Sequence, residues 1–226
     1  MKISIITLFP EVFEPILNSS ILKRAQAKGK VSFELINLRA FGEGKHQIVD
    51  DRPYGGGAGM VLKPDSLARA LKSIVKSKNK RIKIILMSAS GIPYKQQKAR
   101  EFSNLNHLII ICGHYEGIDQ RFIDKYVDLE ISTGDYVLTG GEIPAMIIAD
   151  SVTRLIPGVL EKPEAVVNES FTGNLLEGPQ YTRPETFEGT AVPSVLLSGN
   201  HAEVEKWKKE KAIKKTQKNR PDLLKV

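Results

Sequence analysis

Three glycine-containing stretches of the chain have the composition of loops that hold a small molecule. They are residues 87–91 (MSASG), 113–117 (GHYEG) and 134–142 (GDYVLTGGE). Each follows a short apolar run typical of a β-strand, and ligands of open α/β sheets bind where strands end. Glycine lets the backbone approach a ligand and present its N–H and C=O groups to it. One such loop is common for steric reasons alone, but three after successive strands favour a small-molecule pocket.

A few charged side chains could act on a bound substrate. Arg154 lies near the end of an apolar stretch, one helical turn beyond Asp150, and the two could simply form an ion pair on a solvated face. Glu116 lies within the second glycine loop, and Glu169 lies in a segment without periodicity. Taken singly, each residue is better explained by a structural or solvated role than by catalysis. The residues alone predict an α/β ligand-binding protein that could touch nucleic acid.

Several common kinds of site are disfavoured. The chain has no G-x-x-x-x-G-K-S/T phosphate loop, and residues 55–59 (GGGAG) resemble one only in composition. It has no G-x-G-x-x-G with an acid about twenty residues later, which disfavours dinucleotide binding and the common Rossmann-type methyltransferase. It has no G-x-S-x-G elbow. Its four histidines are scattered without ligand spacing, so no metal site is predicted; they are His46, His107, His114 and His201.

Composition and charge favour a globular protein with a polyanionic partner. The chain has 226 residues, 41% of them hydrophobic, and a net charge of +7 from 33 Lys and Arg against 26 Asp and Glu. Residues 201–226 hold nine Lys and Arg against four Asp and Glu, so most of the excess lies there. Residues 69–83 form a second basic cluster without an acid, which we interpret as a solvated helix face.

The sequence predicts a cytoplasmic protein. Cys112 is the single cysteine and cannot form an internal disulfide. No apolar stretch approaches the roughly 18–20 residues of a membrane span. The first residues, MKISIIT, enter a β-type run directly and lack a signal peptide's cleavage region. We therefore expect no membrane association.

Alternating apolar runs and helical patterns predict an α/β fold with a mostly parallel sheet covered by helices on both faces. The predicted strands are residues 2–8, 31–38, 82–87, 108–112 and 127–132. The predicted helices are residues 10–28, 64–77, 94–103, 118–126 and 142–156.

A second, smaller domain is predicted at the carboxyl end. Residues from about 157 to 193 are rich in Gly, Pro, Asn and Thr without a period, which indicates a linker or an ordered loop. Asn200 followed three places later by Glu203 predicts the start of a basic helix that contains Trp207. We therefore divide the chain into an α/β domain (1–160), an interdomain linker (161–175) and a small helical domain (176–226).

Four motifs together resemble one protein family. They are residues 51–60 (DRPYGGGAGM), 112–119 (CGHYEGID), 134–142 (GDYVLTGGE) and 181–184 (YTRP). In this order they are similar to the bacterial tRNA (guanine-N1)-methyltransferases of the SPOUT superfamily. The resemblance runs from residue 9 to residue 199, which is nearly the whole chain.

The resemblance implies a fold and a reaction that the periodicity of hydrophobic residues does not predict. It implies a SPOUT-type parallel sheet with a deep trefoil knot, although knots are almost absent from protein folds. It implies S-adenosylmethionine held in a bent shape, a homodimer with active sites built from both subunits, and magnesium as a possible aid. The reaction would be methylation of N1 of guanine at nucleotide 37 of tRNA, next to the anticodon, which maintains the reading frame.

The resemblance also implies roles for individual residues. Arg154 would stabilise negative charge on the base, and Glu169 would be the general base. Residues predicted to bind the substrate are Glu116, Ser170, Tyr181 and Arg183. Residues predicted to bind the cofactor are Tyr54, Ser88, Gly91, Gly113, Tyr115, Gly117, Ile131, Ser132, Thr133, Gly134, Tyr136, Val137, Leu138, Gly140 and Gly141.

Three positions depart from the family pattern. Glu169 stands where the family has an aspartate, Ala89 follows Ser88 where the family has a proline, and His114 stands where an arginine is frequent. The longer side chain of Glu169 keeps a carboxylate but changes its reach. Two alternatives therefore stay open, a catalytically weakened tRNA-binding protein and a SPOUT methyltransferase that acts on another RNA.

Overall fold

A computed structural model of the chain describes residues 1–75, 79–162 and 169–224. The chain divides into two compact units, Met1–Glu161 and Lys162–Val226. Part of the predicted linker (161–175), the end of the predicted helix 64–77 and the middle of the basic cluster 69–83 lie outside the described residues. In the described ranges, no helix is long and apolar enough to cross a membrane.

The first unit is built on a five-stranded sheet in which all neighbouring strands are parallel. Its order is β2-β1-β6-β5-β7. The strands are β1 (Lys2–Thr7), β2 (Ser32–Asn37), β5 (Ile82–Pro93), β6 (His107–Cys112) and β7 (Leu129–Ser132). Two short strands, β3 (Asp50–Asp51) and β4 (Val61–Leu62), form a separate antiparallel pair. The prediction of an α/β fold around a parallel central sheet is confirmed.

Helices cover both faces of this sheet. They are α1 (Glu14–Leu17), α2 (Ser20–Ala27), α3 (Pro64–Ile74), α4 (Gln96–Ser103), α5 (Gln120–Tyr126) and α6 (Glu142–Thr153). Alternate residues of the buried strand β6 point to opposite faces: Ile110 packs in a core with Phe102 and Ile148, and Ile109 packs in another with Leu67. Burial on both faces explains why the central strands are continuous apolar runs.

The prediction of one helix over residues 10–28 is wrong. The structure has a 3-10 turn at Pro10–Val12, then α1 and α2 as separate pieces. The break falls at Ser19, which is extended, and at Ser20, whose φ is +43°. The Ser19 hydroxyl donates to the Ile16 carbonyl at 2.8 Å, so a serine side chain competes with the helix for a backbone acceptor.

Strand β5 is longer than predicted. It continues to Pro93, but its pairing with β7 shifts, because both Met87 and Ile92 pair with Ile131. Residues 88–91 therefore bulge out of the sheet, and this bulge is the first of the three glycine-containing loops.

The second unit contains one long helix and a small hairpin. Helix α7 (His201–Asn219) begins as predicted, because Asn200 Oδ1 accepts a hydrogen bond from the Glu203 N–H at 3.4 Å. Thr216 anchors the preceding segment to this helix: its hydroxyl accepts from the Leu176 N–H at 2.9 Å. The hairpin of β8 (Thr186–Phe187) and β9 (Thr190–Ala191) lies in the segment predicted to be irregular.

Candidate active site

The three glycine-containing loops meet in one pocket of about 520 Å³ at the carboxyl ends of β5, β6 and β7. This volume is typical of small-molecule sites. The loops contribute most of its lining, which includes Ser88, Ala89, Ser90, Gly113, His114, Tyr115, Glu116, Gly117, Gly134, Tyr136, Val137, Leu138, Thr139, Gly140 and Gly141. Parallel strands end at the same edge of a sheet, which is why loops distant in sequence come together here.

The second and third loops are joined to each other. The Gly141 N–H donates to the Gly113 carbonyl at 2.8 Å, and His114 forms an isolated antiparallel bridge with Gly140. A Cβ on Gly141 would lie 2.7 Å from Cys112 Cα and 2.8 Å from Gly113 N. Only glycine allows the two backbones to approach this closely, so the requirement for Gly141 is steric.

Glu116 is held at the pocket by the segment that enters β4. Its N–H donates to the Met60 carbonyl at 3.0 Å, and the Leu62 N–H donates to the Gly117 carbonyl at 3.0 Å. Its side chain lies over Gly59, where an added Cβ would be 2.5 Å from Glu116 Oε1. Gly59, the last residue of the glycine run 55–59, is therefore the position against which the Glu116 side chain packs.

The pocket is acidic although the protein is basic. The described residues that line it include Glu116 and Glu130, but neither Lys nor Arg. A concave site with one sign of charge attracts ligands of the opposite sign. The arrangement suits a ligand with a positive charge and with polar edges that backbone groups can bind.

Most residues predicted to bind the cofactor line this pocket, but two do not. Tyr54 is 99% exposed and lies outside it. Gly91 is also outside, and a Cβ added to it would lie 2.4 Å from Ile131 N.

Arg154 follows the last residue of α6 and is half-buried, but it is not among the residues that line the pocket. Its N–H donates to the Asp150 carbonyl at 3.1 Å.

The remaining predicted residues belong to the second unit. Ser170 Oγ accepts a hydrogen bond from the Glu177 N–H at 3.0 Å. The ring of Tyr181 lies 6.1 Å from that of Trp207, and Arg183 is exposed. Glu169 is half-buried and directly precedes Ser170.

Sequence reasoning missed several residues at the pocket. Glu130 lines it from β7, and Ile118, Gln120 and Pro144 add to its wall. Glu130 carries a weak signal, an acid inside an apolar strand close to a glycine loop. The described residues contain no group of three His, Cys, Asp or Glu that could hold a metal ion.

Fold and site together define an α/β protein with a small-molecule pocket at one edge of its parallel sheet. The pocket is formed by glycine-containing loops that present backbone groups to a ligand. A family model described as tRNA (Guanine-1)-methyltransferase TrmD matches residues 1–226. The chain belongs to this family, as its motifs predicted.

Curated relatives are similar over almost the whole chain. A protein of Halalkalibacterium halodurans is 53% identical over 224 residues, which are 99% of this chain and 91% of the relative. One of Bacillus velezensis is 54% identical over 225 residues, and one of Bacillus subtilis is 51% identical over 225; each alignment covers 100% of this chain and 93% of the relative. All three are named tRNA (guanine-N(1)-)-methyltransferase.

Proposed function

We propose that this protein methylates N1 of guanine at nucleotide 37 of tRNA, with S-adenosylmethionine as the methyl donor. The observation that carries the proposal is family membership over the full chain. The proposal includes the deep trefoil knot, a homodimer with composite active sites, and a cytoplasmic location. Contact between the second and third loops supports the knot, and the exposed Ile143 and Ile147 on α6 support a covered apolar face in a dimer.

The pocket fits S-adenosylmethionine by its chemistry. Bound there, this molecule supplies an electrophilic methyl group on a positively charged sulfur. The acidic lining suits that charge, and backbone groups of the loops, from Gly113 to Gly117 and from Gly134 to Gly141, would hold its adenosine and amino-acid parts.

Three charged residues would act on the guanine. N1 of guanine carries a proton and is a poor nucleophile until a base removes it. Glu169 would take this proton, and Glu116 would hydrogen-bond the edge of the base. The Arg154 guanidinium would stabilise the charge that develops on O6, and its planar fork suits this better than an ammonium group.

A direct assay tests the proposal. The protein is incubated with methyl-labelled S-adenosylmethionine and tRNA that has guanine at nucleotide 37, and the product is mapped by nuclease digestion. The control is the same tRNA with adenine at that nucleotide. Label in 1-methylguanine at nucleotide 37 alone supports the proposal, whereas label elsewhere or on a ribose would refute it.

One residue favours a second candidate, a tRNA-binding protein without catalysis. Glu169 stands where an aspartate is the expected base, and its extra methylene changes reach and rotamer freedom. Calorimetry with S-adenosylmethionine separates the two candidates. A protein that has lost its reaction need not bind the donor, whereas the proposed enzyme must.

Replacing Gly59 with alanine is expected to lower kcat/KM for tRNA by about tenfold to a hundredfold, with a much smaller change in affinity for S-adenosylmethionine. The new Cβ would lie 2.5 Å from Glu116 Oε1 and would displace that side chain, and small misplacements at a site have effects of this size. Steady-state kinetics with tRNA and calorimetry with the donor measure the two effects.

Gly55→Ala is the matched control for this variant. Its φ of +88° equals that of Gly59 (+87°) within a degree, so the backbone strain is shared, but nothing lies within 4 Å of its Cβ. Equal losses in both variants would mean that strain in the loop, not the position of Glu116, causes the effect.

Neutralising three lysines of α7 is expected to flatten the dependence of tRNA affinity on salt. Phosphate contacts release counterions, so replacing Lys208, Lys209 and Lys211 with glutamine should reduce the slope of log K against log salt by about 2 units. Filter binding over a range of salt concentrations measures it. In the control, Lys72, Lys80 and Lys83 of the basic cluster 69–83 are replaced, and the slope should stay constant. An unchanged slope in the first variant would mean that these three lysines of α7 are solvated and do not contact the phosphates of tRNA.

A further inference from the structure

Glu142 is a buried carboxylate directly behind the wall of the pocket. It is the first residue of α6 and is 8% exposed. Its Oε1 accepts a hydrogen bond at 2.8 Å from the hydroxyl of Thr7, the last residue of β1, and Thr7 Oγ1 accepts from the Phe9 N–H at 3.0 Å. The amino terminus of a helix also favours a negative charge. One oxygen of the carboxylate is therefore fixed to the sheet.

The other oxygen of Glu142 faces the pocket loops. A Cβ added to Gly140 would collide with Glu142 Oε2 and would lie 2.6 Å from His114 Nδ1 and 3.4 Å from the Gly113 carbonyl oxygen. Gly140, His114 and Gly113 all line the pocket. The carboxylate is thus separated from the ligand space by a single layer of backbone.

No cation of the chain compensates this charge in the described ranges. Glu142 forms no ion pair there, and neither Lys nor Arg lines the pocket. His114 Nδ1 is close, but it is buried without a hydrogen-bond partner. Burial raises the pKa of the Cys112 thiol, and the nearby Glu142 carboxylate raises that pKa further. Buried carboxylates normally have a cationic partner, and here the bound ligand can supply it.

We propose that Glu142 makes the pocket select the positively charged methyl donor S-adenosylmethionine over its neutral product S-adenosylhomocysteine. This inference rests on the proposed function and adds a specificity residue to it. In the transfer, the methyl carbon bonds to N1 of guanine, the bond between methyl carbon and sulfur breaks, and its electron pair stays on sulfur. The proton of N1 goes to the base. The sulfur loses its charge and with it the attraction to Glu142, which favours exchange of product for donor.

Calorimetry with the two ligands, without tRNA, tests this selection. The quantity compared is the ratio of Kd for S-adenosylhomocysteine to Kd for S-adenosylmethionine. In Glu142→Gln this ratio is expected to fall about fivefold to tenfold below that of the wild type, because one unit charge directly behind the pocket wall is removed. The ligands share their adenosine and amino-acid parts, so a general change of pocket shape cancels from the ratio.

Glu34→Gln is the matched control. Glu34 Oε2 also accepts a hydrogen bond at 2.8 Å from a hydroxyl of β1, that of Ser4, but this carboxylate pairs with Lys2 and does not line the pocket. Its ratio should equal that of the wild type. Glu142→Met is a second variant, since it removes the charge and keeps an unbranched side chain of similar length. Thermal denaturation checks that all variants are folded.

The outcomes distinguish a failure of the selection by charge from a failure of the proposed function. A wild-type ratio in both Glu142 variants would overturn the selection by charge, and so would an equal fall in Glu34→Gln. A wild type that shows the selection but does not methylate tRNA would refute the proposed function alone. A wild type that binds neither ligand would refute both.

Discussion

Replacing Arg154 with alanine is expected to reduce kcat for tRNA methylation by about a thousandfold or more, with affinity for S-adenosylmethionine within about twofold of the wild type. The guanidinium would stabilise negative charge on guanine O6, a contribution that is large because it is made in the transition state. The donor affinity should hold because Arg154 does not line the pocket. Single-turnover methylation and calorimetry with the donor measure the two quantities.

The Arg154→Lys variant separates charge from geometry. Lysine keeps the charge but lacks the planar fork, so we expect it to restore only part of the rate. Arg100→Ala, which removes an exposed arginine of α4, is the control and should methylate at the wild-type rate. If Arg154→Ala instead loses affinity for S-adenosylmethionine, its side chain supports the fold of the site and does not act on the base.

Replacing Glu169 with glutamine is expected to reduce the rate of methyl transfer by about a hundredfold to a thousandfold with little change in affinity for tRNA. Glutamine has the same shape as glutamate but cannot accept the N1 proton, and general bases contribute factors of this size. Rapid-quench measurement of the transfer step, together with tRNA binding at fixed salt, tests the prediction.

Glu169→Asp completes this experiment. An aspartate restores the residue expected from the family, so this variant should keep a rate near that of the wild type or exceed it. Glu185→Gln removes an exposed carboxylate of the same unit and should have no effect. An undiminished rate in Glu169→Gln would require a different base and would favour water or another carboxylate in that role.

The Arg154 and Glu169 variants are expected to leave the same step, donor binding, intact. Arg154 follows a helix of the first unit, whereas Glu169 belongs to the second. The pocket proposed to bind the donor lies within the first unit, at the carboxyl ends of three strands. Donor binding should therefore survive both substitutions, and only steps that involve the guanine should fail.

Local patterns of the sequence determined the parts of this protein that depend on neighbours in the chain. The apolar runs predicted all five strands of the sheet, because central strands are buried on both faces. The pair Asn200 and Glu203 predicted the start of α7, because a helix cap is made within four residues. The glycines of three loops predicted a small-molecule pocket, since parallel strands end at one edge.

Other features were decided by contacts between distant parts of the chain. Thr7 and Glu142 are 135 residues apart and meet because β1 and α6 pack in the same core. Gly59 lies beneath Glu116 because the segment at β4 runs beside the second loop. No local spacing encodes either contact. The sequence by itself therefore determined the family, the strands and the loops. The tertiary structure decided which side chain packs against which glycine, because such contacts form only when separate elements pack together.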